Sequence, residues 1–481
     1  MSEVLRVRNL LMRSLPVIFF LLSGIALTHA QVEPISLHPD NPHYFKYHNN
    51  PLILISSGEH YGSVLNLDFN FTKYLNELSA RKLNLTRTFT GAYIEPIGAF
   101  NIENNMLAPA SGRYISPWKR SSVPGFQGGG NKFDLTAWDE AYFDRLKRFV
   151  REAEQRNIIV ELTLFCPFYE MKQWVLSPMH PSNNVNNVPF VGKDSVYTMD
   201  HSGPLLQIQE QLVAKLVSEL NGFSNIIFEI CNEPYFGGVT IEWQHHIATL
   251  IGETEKGLPW KHLISQNIAN DSALISNPHP GVSVFNFHYA TPPTAVKQNY
   301  HLNKVIGDNE TGFRGQADST YRKEGWEIIL AGGALYNNLD YSFAPGYEDG
   351  TLKYHTQQPG GGSTALRNQL TQLKQFIEHF NYLLMSPDKD FRITAEQKPR
   401  IHMLSEPGRQ YAAYIVRGGR ATVAIPLPAG RYEVRWIDPA TGKIVAEKNI
   451  TQNGKKQSKS YFSLQSPAYA FDIALSIARK Q

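Results

Sequence analysis

At 481 residues the chain is longer than a single hydrophobic core usually supports, so it implies one large domain with a smaller one attached. Hydrophobic residues make up 42% and charged residues 19%, with no low-complexity tract, which excludes a disordered or fibrous chain. A net charge of +3 with scattered Lys and Arg leaves no basic footprint for nucleic acid or an anionic membrane.

The first thirty residues have the layout of an export signal. Arg6, Arg8 and Arg13 precede the apolar run Leu15 to Leu27, and Thr28-His29-Ala30 puts a small residue before the cut. The run is shorter than the ~20 residues a spanning helix needs. The expectation is a signal over residues 1–30, a mature chain from near Gln31, and a secreted or periplasmic product with no membrane anchor after cleavage. Only Cys166 and Cys231 are present, which excludes a disulfide scaffold and structural-zinc spacing; each ends an apolar run, as a bridge or as two buried thiols.

From about Pro51 short apolar, β-branched runs alternate with helical periodicity, the pattern of a parallel sheet covered by helices. The runs are Leu52 to Ser56, Leu83 to Phe89, Ile158 to Phe165, Asn225 to Ile230, His262 to Asn267, Val282 to His288, Lys304 to Gly307 and Ile328 to Leu339. Tyr142 to Arg156, Leu205 to Leu220, Trp243 to Glu255 and Leu366 to Leu384 carry apolar residues at three- and four-residue spacing. Eight units predict a (β/α)8 TIM barrel over residues 31–386. The open doubly wound alternative is weakened because no Gly-rich phosphate loop follows the first strand. Two long insertions, Gly91 to Asp134 and Pro167 to Asp200, fall where barrel loops build a site. Beyond Pro387, alternating runs such as Ala412 to Val416 and Tyr432 to Ile437, with turns at Gly418-Gly419 and Thr441-Gly442, predict a small antiparallel β-sandwich over 387–481 that braces the barrel.

The chemistry concentrates at strand ends. Ile226 to Cys231 runs into Asn232-Glu233-Pro234, a carboxylate beside an amide at the carboxyl end of the fourth strand, where barrel enzymes keep their reactive groups. The seventh run continues into Gly307-Asp308-Asn309-Glu310-Thr311-Gly312 and offers a second carboxylate in either of two registers. Two carboxyl groups held about 5 to 5.5 Å apart can protonate a leaving oxygen and attack the carbon it leaves, the double displacement of a retaining glycosidase.

The strand, the Asn-Glu-Pro motif and the later strand-end Glu resemble clan A glycoside hydrolases, nearest to the cellulase-like family 5. The resemblance covers the barrel and not the sandwich. It implies that Glu233 is the general acid/base, with a raised pKa so that it is protonated before attack, and that Asn232 contacts the sugar 2-hydroxyl. Glu310 is the implied nucleophile, because Glu-Thr-Gly is similar to the family's Glu-aromatic-Gly; Asp308 occupies the slot directly after the strand glycine and is the other candidate. Arg87 resembles the family's arginine that keeps the nucleophile ionised. His288 and Tyr289 close the sixth strand without the family's spacer residue, which lets one of the two face the barrel wall. The family's Trp after strand eight is missing, and Tyr341 or Phe343 stands in its place. Glu59 and His60, in Gly58-Glu59-His60-Tyr61, either contact substrate or brace the rim. The reading is therefore a retaining O-glycosyl hydrolase acting on oligo- or polysaccharide, without metal or organic cofactor. The alternatives are a non-catalytic carbohydrate-binding protein on a barrel scaffold and a transglycosylase.

Overall fold

The computed structural model describes residues 33–354, 357–453 and 461–480; the expected export signal lies outside the described residues. Among the described residues no helix is long and apolar enough to cross a membrane. Eight parallel strands form the barrel: β1 (Leu54–Gly58), β2 (Leu85–Phe89), β3 (Ile159–Phe165), β4 (Ile226–Cys231), β5 (Leu263–Asn270), β6 (Val282–His288), β7 (Val305–Thr311) and β8 (Leu335–Leu339). Their hydrogen-bonded order is β1-β8-β7-β6-β5-β4-β3-β2, so only the seam between β1 and β2 lacks a backbone ladder. Asn84 closes that seam with its side chain. Its Oδ1 accepts from Ile55 N–H at 2.9 Å and its Nδ2 donates to the Ile53 carbonyl at 2.9 Å, so one amide side chain does the work of a peptide unit.

Seven helices follow the strands: α1 (Phe71–Ala80), α2 (Glu140–Glu154), α3 (Leu205–Leu220), α4 (Ile241–Thr254), α5 (Thr294–Asn299), α6 (Asp318–Leu330) and α7 (Thr364–Glu378). Among the described residues none joins β5 to β6. Pro278 and Pro280 in that connection remove helix donors, so the fifth of the eight expected units has a loop in place of its helix. The expected last strand, Ile328 to Leu339, divides: Ile328 to Leu330 end α6, and the chain turns at Gly332, with φ of +103°, before β8 begins.

The long insertions lie at the carboxyl ends of β2 and β3. The first carries a hairpin of Trp118–Pro124 with Asn131–Trp138, and the second the short helices Met171–Trp174, Pro181–Asn183 and Lys193–Ser195.

Two antiparallel sheets follow the barrel. One has six strands, Gln410–Val416 and Asp472–Arg479 at its centre, and the other pairs Ala421–Pro426 with Arg392–Ala395 and Tyr461–Gln465. Ala413, Ile415, Val423, Ile425, Val434 and Leu475 fill the space between them as a separate core. The other face of the six-stranded sheet, with Ala412, Tyr414 and Ala474, joins the barrel core. It packs on α6: Arg322 donates to Asp472 at 2.9 and 3.0 Å, Arg400 pairs with Glu327, and Trp326 stacks on Tyr414 at 5.3 Å. Buried against the barrel and the sheet alike, α6 shows no single apolar stripe, which is why its periodicity does not stand out in the sequence.

Candidate active site

Strand alternation alone would fill the barrel with apolar side chains, yet its middle layer is polar. Arg87 of β2, Glu161 and Thr163 of β3, Glu229 of β4, Asn286 of β6 and Asn309 of β7 meet inside, all buried. Arg87 Nε donates to Glu229 Oε2 at 2.8 Å, Thr163 Oγ1 donates to the same oxygen at 2.5 Å, and Asn309 Nδ2 donates to Glu229 Oε1 at 2.7 Å. Glu161 accepts from Asn286 Nδ2 at 2.7 Å, from Ser265 Oγ at 2.8 Å and from Asn309 Nδ2 at 3.0 Å. Burial, reinforced by the charge of Glu229, pushes the Glu161 carboxyl above its ordinary range. Gly307 is required in this layer, because a Cβ there would run into Asn286 Oδ1.

Above the layer stand Glu233, just past β4, and Glu310, near the end of β7. One oxygen of each and Nδ1 of His288 lie within 4.8 Å of one another. Glu310 is held by three donors: Tyr61 OH at 2.8 Å and Arg87 Nη1 at 3.0 Å to Oε2, and Tyr289 OH at 3.0 Å to Oε1. Glu233 receives Tyr169 OH at 2.6 Å on Oε2, and Tyr235 OH at 3.3 Å and His288 Nδ1 at 3.2 Å on Oε1. With a guanidinium at 3.0 Å and hydroxyls on every carboxylate oxygen, this grouping is furnished as a hydrogen-bonded carboxylate pair, not as a cation cage.

The pair sits in a cleft of about 290 Å³ lined by His60, Glu95, Phe100, Tyr169, Phe236 and Phe313, among others. A larger cleft of about 540 Å³ lies between the barrel flank and the C-terminal sheets, but Asp388 is its one acid, so it brings no carboxylate pair together.

Solved structures share this architecture. A family 5 glycoside hydrolase from Bacteroides vulgatus ATCC 8482 matches with a TM-score of 0.61 at 14% identity, over 93% of this chain and 94% of that one. The fold is one that family 5 glycoside hydrolases adopt. A second protein of the same organism, assigned as a glycoside hydrolase, gives 0.63 at 14% over 94% of this chain and 83% of that one. A noncanonic maltogenic alpha-amylase from Thermotoga neapolitana gives 0.51 at 10% over 89% and 99%. No family model matches the sequence, and no curated protein matches it. At these identities the likeness is one of fold.

Within this glycosidase fold the two registers of the seventh strand separate. Phe287 lies opposite Asp308 and His288 opposite Glu310, a bulge that inserts Asn309 and breaks the alternation. Asp308 and Glu310 therefore do not share a face. Asp308 Oδ2 accepts from Ala290 N–H at 3.0 Å beneath α6, where burial and then Glu324 raise its pKa far above the ordinary value. Only Glu310 reaches the cleft.

The missing spacer after β6 is likewise resolved by the backbone. Tyr289 adopts a left-handed φ of +55°, which swings its ring over Glu310 while His288 still faces Glu233, so both act on the pair and neither is lost to the wall. Tyr61 and Glu233 share this conformation, with φ of +57° and +35°. Asn232 lines the cleft with its Oδ1 taken by Arg87 Nη2 at 2.6 Å.

Three expectations are corrected. Glu59 does not line the cleft: its oxygens cap the turn after β1, accepting from Gly62 N–H at 2.8 Å, Ser63 N–H at 3.0 Å and Ser63 Oγ at 2.7 Å, so the rim-bracing alternative holds. Tyr341 does not line the cleft: its ring lies against Gly360 and, at 6.1 and 6.3 Å, beside His60 and Phe313, and Phe313 takes the wall position instead. The Glu233 carboxyl is held below its ordinary pKa. Burial raises it, but the hydrogen bond and charge of His288, then Tyr169 and Arg87, outweigh burial.

Sequence reasoning did not single out Tyr61, Tyr169, Tyr235 or Glu95. Tyr61, Tyr169 and Tyr235 each stand within four residues of the end of a barrel strand, and a search for aromatics at that spacing would have found them. Glu95 lies ten residues short of Asn105, its partner in the same loop, and carries no local signal. Cys166 and Cys231 are both buried and free.

Proposed function

We propose that the protein is a retaining glycoside hydrolase acting on carbohydrate, with Glu310 as nucleophile and Glu233 as general acid/base. The observation that carries the reading is the convergence of the two carboxylates, one oxygen of each within 4.8 Å of the other, which favours direct attack over the water that an inverting enzyme seats between carboxyls roughly 6.5–9.5 Å apart. The two environments differ as the roles demand. Glu310 has a guanidinium and two phenols fixing both oxygens, which holds the attacking group in one orientation. Glu233 has the cleft beside it and a histidine against one oxygen.

In the first step a Glu310 oxygen bonds the anomeric carbon, the glycosidic C–O bond breaks, and the proton of Glu233 passes to the leaving oxygen. In the second, water adds its oxygen to the anomeric carbon, gives a proton to Glu233 and releases Glu310. Glu233 has to carry its proton at the moment of attack although the free site depresses its pKa. Sugar filling the cleft displaces water and strengthens burial, already the largest single influence on that group. The export signal read over residues 1–30 supports a secreted or periplasmic enzyme, which a mature N-terminus found near Gln31 would test.

The test is hydrolysis of a panel of aryl glycosides and oligosaccharides by wild type, Glu233→Gln and Glu310→Gln. Wild type is expected to cleave and both variants to lose about 10³-fold or more. Sugar binding without cleavage, unchanged in both variants, would instead favour a non-catalytic carbohydrate-binding protein.

A further inference from the structure

The rings around the carboxylate pair form a closed circuit. On one side Phe100 meets Tyr169 at 5.4 Å, Tyr169 meets Phe236 at 5.9 Å, and Phe236 meets Tyr235 at 5.0 Å. On the other, Tyr235 meets His288 at 6.5 Å, His288 meets Tyr289 at 5.9 Å, and Tyr289 meets Phe313 at 6.3 Å. Phe313 then meets Phe100 at 6.4 Å and completes the ring. All of these centroid separations lie in the range of aromatic contact. Phe100, on the long loop after β2, and Phe313, just past β7, thus meet across the mouth. Phe100 is held there by a left-handed φ of +54°. An enzyme that cuts within a polymer needs a groove open at both ends, whereas here the Phe100–Phe313 contact bridges the loops after β2 and β7 across the cleft.

The wall on the Glu310 side is polar. Glu95, 5% exposed, lines the cleft and accepts from Tyr93 OH at 3.2 Å and from Asn105 Nδ2. Asn105 Oδ1 in turn meets His60 Nδ1 at 3.1 Å, and the second ring nitrogen of His60 has no partner among the described residues. The side chains are thereby fixed in place while keeping capacity for further hydrogen bonds. Because the nucleophile bonds the sugar that stays behind, the Glu310 side holds the glycone; the half-exposed Tyr235 and Phe236, beside Glu233, flank the leaving part.

We infer that the site acts at chain ends, releasing one non-reducing terminal sugar per cleavage, with Glu95 and His60 as the residues that read the hydroxyls of that sugar. The inference rests on the glycosidase reading above. It deepens that reading from a carboxylate pair to a mode of attack.

The experiment follows early cleavage of gluco-, manno- and xylo-oligosaccharides carrying a fluorophore at the reducing end, with aryl glycosides alongside. For wild type the first labelled product is expected to be shorter by one sugar, with free monosaccharide appearing in equal amount. Phe100→Ala, at a 38% exposed position that folding tolerates, is expected to open the collar and raise the share of internal cuts several-fold. Glu95→Gln is expected to lower kcat/KM on the oligosaccharides by about 10-fold or more, since Glu95 positions sugar. Internal fragments appearing first with wild type would overturn the inference and leave the glycosidase reading standing. Absence of cleavage across oligosaccharides and aryl glycosides would overturn both.

Discussion

His288 is the side chain through which the two carboxylates sense each other, 3.2 Å from Glu233 and 3.5 Å from Glu310 through one nitrogen. It contributes the largest of the influences that pull the Glu233 pKa down against burial. Removing it leaves burial in place, so in His288→Asn the Glu233 pKa is expected to rise. A general acid with a higher pKa stays protonated to higher pH, and the alkaline limb of kcat/KM against pH is expected to move upward. An unmoved limb would show that His288 does not govern Glu233. The register of β7 gives a second test at this scale. Asp308→Asn is expected to retain activity within several-fold, because Asp308 lies outside the cleft, whereas Glu310→Gln is expected to abolish it. The residue types of the pair were legible in the sequence because they stand at strand ends beside a recognisable amide. The choice between Asp308 and Glu310 was not, since a bulge depends on pairing with β6 and leaves no trace in the order of residues. The direction of the Glu233 shift was hidden for a similar reason: His288 is 55 residues away along the chain.

At the scale of elements, the barrel depends on a seam that one side chain spans. Asn84→Ala deletes both side-chain hydrogen bonds to the backbone of Ile53 and Ile55 and leaves buried polar groups unpaired. A loss of about 2 kcal/mol or more in urea unfolding is expected, and an unchanged midpoint would mean that packing and the Asn84 N–H bond to the Ile55 carbonyl suffice to hold the seam. Seven of the eight barrel strands were visible as short apolar runs, because strands buried on both faces read that way, whereas β8, with two asparagines and no β-branched residue, was merged with the end of α6. The helices were less complete. Those with one apolar stripe, such as α2, stood out, whereas α6 is buried nearly all round and lost its periodicity beneath the C-terminal sheet.

Across the whole molecule, the C-terminal sheets clamp α6, the helix that follows β7. Asp472→Ala strands Arg322 in a buried contact, a change expected to cost about 3–5 kcal/mol by thermal or urea unfolding. Burial also leaves a signature in pH. Glu59, Glu95 and Glu324 are pushed up to about 7 from 4.5, so each favours folding below pH 4.5 and loses that contribution as pH rises through about 7. His60, lowered from 6.5 to about 4, acts in the opposite sense but only below about pH 6.5. Between pH 6.5 and 8 the carboxyls dominate, and Tm is expected to fall over that window; a Tm that rises there would contradict these burial assignments.

A Glu310 nucleophile has to form a covalent bond to sugar. The direct measurement is peptide mass spectrometry of the protein after exposure to a panel of 2-deoxy-2-fluoroglycosyl fluorides, which slow release of a glycosyl-enzyme more than its formation. A fluoroglycosyl adduct is expected on Glu310, formed in wild type and absent in Glu310→Gln. An adduct on Asp308 or another residue, or turnover that yields product of inverted configuration with no adduct, would contradict it.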